Sequence, residues 1–153
     1  MSMWESFTDE ARVWIYASPE KLSSEIQERM LRSSQSFLAQ WQAHGQSLNA
    51  DVQIFHDHFL VFFVDESSAN ATGCSIDASV RFVKELELSL GLDMLDRSKV
   101  YVKTPEGVQH FDFRNVPADL PADAHVFNHS VSDLGAFRKE WELPLAESWL
   151  TRG

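Results

Sequence analysis

"DVQIFHDHFLVFFVD", residues 51–65, decides how the rest of the chain is read. In its first half, Val52 and Ile54 alternate with Asp51 and Gln53. A period of two marks a strand with one buried face. Its second half, 59–65, is apolar at nearly every position, as in a strand covered on both faces. The few residues between, around Asp57, suit a tight turn, so the stretch predicts a hairpin.

Upstream, "RVWIYA" (12–17) is β-branched and aromatic and reads as a strand. Ser18-Pro19 then opens a helix, with Ser23 or Ser24 as alternative caps. Leu22, Ile26, Met30, Leu38 and Trp41 recur at helical spacing, and His44-Gly45 marks the stop. Downstream, Val80, Val83, Leu86 and Leu90 form a second amphipathic helix that starts near Asp77 and stops at Gly91. "KVYVKT" (99–104) is a fourth strand.

The order is strand, helix, strand, strand, helix, strand, the split βαβ pattern of ferredoxin-like folds. The expected fold is α+β: an antiparallel sheet of order 4-1-3-2 with both helices on one face. The first and third strands are the most apolar, as central strands should be. The second alternates and the fourth carries lysines, as edges should. Helices on one face leave the other bare, and residues 105–153 are the available cover. Phe127, Phe137, Trp141 and Trp149 are the expected lid; a homodimer through the sheet is the other solution. The chain reads as a single domain, 1–153, with a βαββαβ core at 12–104 and a C-terminal extension at 105–153.

Composition narrows the function. A net charge of −10 repels phosphate backbones and anionic membrane surfaces, which argues against nucleic acid and membranes as partners. No stretch reaches the roughly 18 apolar residues of a spanning helix. "MSMWESFTDEAR" holds acids and no apolar run, so no secretory signal is expected there. The one cysteine, Cys74, can form no internal disulfide, which fits a cytoplasmic location.

The topology also predicts a site. It brings the turn holding His44 and the loop 65–77, "DESSANATGCSID", to the same end of the sheet. Small residues let backbone amides approach a ligand, and a helix start favours negative charge, so Thr72, Gly73 and Ser75 are candidate ligand contacts. Against an anion stand Asp65, Glu66 and Asp77, with no Lys or Arg between Asp65 and Arg81. Helix capping by Ser75 or Asp77 is the plainer role. Cys74 near a helix start is biased toward thiolate, and His44 as base with Asp77 or Asp65 as orienter completes a Cys-His-Asp arrangement. The plainer role for Cys74 is a small buried hydrophobe. "HDH" (56–58) could chelate a metal, but it lacks a third ligand and reads as polar turn residues. No metal and no cofactor is expected, and the tryptophans read as core.

"QWQAHG" (40–45), "FVDE" (63–66), "GCSID" (73–77) and "WELPLAESW" (141–149) together resemble a family of uncharacterised bacterial proteins of similar length. Its members are sometimes labelled ABC-transporter ATPases. This chain has no GxxxxGK[ST] to support that label. The resemblance implies a cytoplasmic bacterial protein and carries no catalytic residues with it. The expected function is a small-ligand-binding or protein-interaction module. The alternative is a thiol-dependent enzyme, for acyl transfer or hydrolysis, using Cys74 with His44.

Overall fold

The computed structural model describes residues 3–43, 45–66 and 73–151. Among them the chain is α+β, with three α-helices, two larger antiparallel sheets and a two-stranded antiparallel pair, Gln42–Ala43 with Gln46–Ser47. The elements are β1 (Arg12–Ala17), α1 (Ser24–Gln40), β2 (Gln42–Ala43), β3 (Gln46–Ser47), β4 (Asn49–Phe55), β5 (Phe59–Asp65), α2 (Gly73–Leu90), β6 (Lys99–Thr104), β7 (Gly107–Asp112), β8 (His125–Phe127), α3 (Leu134–Glu140) and β9 (Glu142–Pro144). A 3₁₀ turn, Met3–Ser6, precedes them, and two more follow.

The first sheet has the order β1-β5-β4. β5 is central and buried at every position from Phe59 to Val64, as its unbroken apolar run requires. Pairing is antiparallel throughout, from Arg12 opposite Val64 to Ala17 opposite Phe59. Both long helices cover one face. There Tyr16, Leu60, Phe62 and Val64 pack with Met30 and Leu38 of α1 and Val83 and Leu86 of α2. Val13, Ile15, Phe59, Val61 and Phe63 face the other way, against Tyr101, Phe127, Phe137 and Trp141. The extension therefore lies over the second face. Trp4 adds to this layer by stacking on Phe63 at 4.6 Å.

Several expectations need correction. β6 does not join β1 to complete a 4-1-3-2 sheet. It sits in a second sheet of order β7-β6-β8-β9. Two contacts explain this. A short hairpin, Thr104 opposite Gly107 with Gly107 at φ +119°, joins β6 to β7, and local closure costs less chain entropy than a distant pairing. The outer edge of β1 is meanwhile occupied: the Val13 N–H donates to the Ser132 carbonyl, and the Leu134 N–H to that of Ala11. Trp149, expected in the lid, is 43% exposed. It follows the 3₁₀ turn Leu145–Glu147, beyond the layer that Phe127, Phe137 and Trp141 fill.

The helix limits also shift. Ser23 is the cap of α1, its Oγ accepting from the Ile26 N–H at 3.2 Å, and Ser18-Pro19 is not helical. α1 stops at Gln40, and Gly45 at φ +78° turns the small β2–β3 hairpin instead. α2 begins at Gly73, so Ser75 and Asp77 lie inside its first turns and are not its caps. Among the described residues no helix is long and apolar enough to cross a membrane.

Candidate functional site

α1 delivers Trp41 to one end of the first sheet. The indole is buried among Trp14, Phe37 and Phe62. Its apolar body suits that setting, while its N–H needs an acceptor. The acceptor is the Ser75 carbonyl in the first turn of α2, 2.8 Å away. The Leu48 N–H donates to the Trp41 carbonyl at 3.0 Å and closes the intervening loop. β5 ends at Asp65, whose carboxylate accepts from Asn49 Nδ2 at 3.3 Å. Glu66 pairs with Arg12 at 3.9 Å. Segments around 41–48, 65–66 and 73–77 thus share one end of this sheet.

The individual site residues fare differently. His44 and Thr72 lie outside the described residues, and so does the side chain of Cys74, whose backbone belongs to α2. Ser75 is buried and Asp77 exposed. Among the described residues nothing lies within 4 Å of where a Cβ on Gly73 would stand.

At the opposite end, "HDH" resolves into three separate roles. His56 and Asp57 have φ of 52° and 60°, the left-handed pair of a type I′ hairpin turn. Asp57 accepts from Gln27 Nε2 at 2.8 Å. His58 is buried, and its Nδ1 lies 2.8 Å from the Ser18 carbonyl. A carbonyl only accepts, so Nδ1 carries a proton and donates it. His56 reaches away to Glu142, Nε2 to Oε1 at 3.2 Å. Among the described residues no group of three or more His, Cys, Asp or Glu is placed to hold a metal.

Glu142 is the residue that sequence reasoning missed. Its carboxylate also accepts from His125 Nδ1 at 2.7 Å and Lys103 Nζ at 2.5 Å. Burial alone would raise its pKa, but the Lys103 and His125 hydrogen bonds outweigh that and hold it below the usual range. Desolvation lowers the His56 pKa, partly offset by the negative charge of Glu142. Nothing local marks Glu142, because its partners come from β6, β8 and the β4–β5 turn. Comparison with protein-family models, with curated proteins and with solved structures found no match to this chain.

Proposed function

We propose that this chain is a cytoplasmic bacterial small-ligand-binding module, with its site at the end of the first sheet where α1 finishes and α2 begins. The observation that carries the reading is the Trp41–Ser75 hydrogen bond. It ties together two of the segments on which the family resemblance rests, and the end of β5 supplies a third. We read the β1-β5-β4 sheet and its two helices as a ferredoxin-like arrangement without its fourth strand. Gly73, Ser75 and Thr72 are the proposed ligand contacts. A glycine at a helix start lets a ligand approach the backbone, and the dipole favours a partly negative group there. Asp65, Glu66 and Asp77 weigh against a phosphate, so the ligand is a neutral or weakly anionic small molecule.

The test is an amide NMR titration of the labelled chain with the low-molecular-weight fraction of a bacterial extract. Shifts should concentrate in 41–48, 65–66 and 73–77. Gly73→Trp should abolish them without unfolding the chain, since the position faces open space among the described residues. Shifts confined to other regions would refute the site. The second reading, a thiol-dependent enzyme using Cys74 with His44, draws support from the same bond, which draws the turn before His44 toward the helix that holds Cys74. Alkylation distinguishes the two. A nucleophile reacts as a thiolate below the ordinary cysteine range, whereas a wall residue does not.

A further inference from the structure

The opposite end of the molecule carries a cleft of about 440 Å³, a size suited to a small metabolite. It lies between the segment at 19–21, the His56–His58 turn and the β6–β7 hairpin. Its charged and imidazole lining consists of Lys21, Lys103, Asp57, Glu106, His56 and His58. Two ammonium groups and two carboxylates line it, with Lys21 and Asp57 3.9 Å apart, so the lining is neutral in a chain of net charge −10.

Part of the lining is also held in place. Lys103 is pinned by Glu142, yet an ammonium has three N–H groups and this contact uses one. His125 and His56 share the same carboxylate, which fixes its position. His58 is anchored through Nδ1, which donates to the Ser18 carbonyl, and this fixes where its Nε2 stands; with the ring neutral, Nε2 accepts. The cleft therefore presents one placed cationic donor, Lys103, with the more exposed Lys21 nearby, and acceptors at Asp57, Glu106 and His58. A simple anion meets Asp57 and Glu106, and a simple cation meets Lys21 and Lys103. A molecule carrying an ammonium and a carboxylate on one carbon satisfies both sets.

We propose that this cleft binds a small zwitterion of the α-amino-acid class, its carboxylate toward Lys103 and Lys21 and its ammonium toward His58, Asp57 and Glu106. This site is separate from the Gly73 end and does not depend on it.

The test is an NMR titration of the full chain with the standard α-amino acids, each in turn, and with acetate and methylammonium as half-ligands. At least one amino acid should give saturable shifts in 55–58 and 103–107. Each half-ligand should bind at least about tenfold more weakly, a difference of ~1.4 kcal/mol. Lys103→Met and Glu106→Gln should each weaken binding by about tenfold or more. Lys21→Met serves where the Lys103 variant fails to fold, because the Lys21 side chain is 76% exposed. The proposal is overturned by any of three results: no saturable shift in those segments with any amino acid, acetate binding as tightly as the best amino acid, or unchanged binding in Lys21→Met and Glu106→Gln.

Discussion

His129 shows what one buried ring does to the whole protein's acid response. It stacks on Tyr101 with ring centroids 5.4 Å apart and meets Phe59 edge-on at 5.2 Å. Its Nε2, the Tyr101 hydroxyl and the Trp141 indole nitrogen are all buried and meet no hydrogen-bond partner among the described residues. Burial, helped by the Arg97 charge, pushes the His129 pKa down from 6.5 to about 4. The unfolded chain therefore takes up a proton that the folded chain refuses. Stability is lost as pH falls from 6.5 toward 4, and below that this residue adds no further slope. The loss across the window is up to roughly 3 kcal/mol. His129→Phe keeps a stacked ring and removes the titration. Urea midpoints measured against pH should show the wild type losing ground to the variant across the window; parallel curves would count against this account.

Among the elements, α1 illustrates competition for a cap. Ser18 resembles one in sequence, but its groups are already engaged. Its N–H donates to the His58 carbonyl, its Oγ to the Glu20 carbonyl, and its own carbonyl accepts from His58. Ser23 caps instead. Ser23→Ala should cost about 1 kcal/mol of stability, while the exposed Ser24→Ala should cost no more than a few tenths. Denaturant titration of the two variants separates them. At the far end of α2, Gly91 sits at φ +67°, and the Leu92 N–H donates to the Glu87 carbonyl. Gly91→Ala puts a Cβ into that left-handed conformation and should cost roughly 1 kcal/mol. An unchanged midpoint would show that another residue closes the helix.

At the scale of the molecule, the extension and the first sheet share one core. Trp141 is 5% exposed and packs against Phe137, Phe127, Phe59 and Phe55. Arg138 ties α3 to the N-terminal segment through Asp9 at 2.7 Å and the carbonyls of Glu5 and Phe7. Trp141→Ala should therefore cost ~3–5 kcal/mol, whereas Trp149→Ala, at an exposed position, should cost under ~1 kcal/mol. A chain ending at Thr104 should lack a cooperative transition, because it bares the Val13, Ile15, Phe59, Val61 and Phe63 face. A truncated chain melting near the full-length temperature would refute that.

The limits of β1, β5 and β6 match the sequence reading because their signals are local: β-branched and aromatic runs with clear turn residues at their ends. The apolar character of β5 likewise foretold its central place. The start of α2 was misread because the small residues around Gly73 resemble a loop, although the helix already runs through Ser75. What the local pattern could not decide was which strand β6 would join. Lysines at its ends fit an edge, yet β6 lies between β7 and β8, because a short hairpin and the extension outcompete β1 for it. The two ends of the molecule divide in the same way. Convergence of the segments near Trp41 and Ser75 follows from helix and strand order, which is written in the sequence. Glu142 meets Lys103 and His125 through the long-range pairing of β6, β8 and β9, and His56 joins them only where the second sheet docks against the first; the tertiary structure alone decides both.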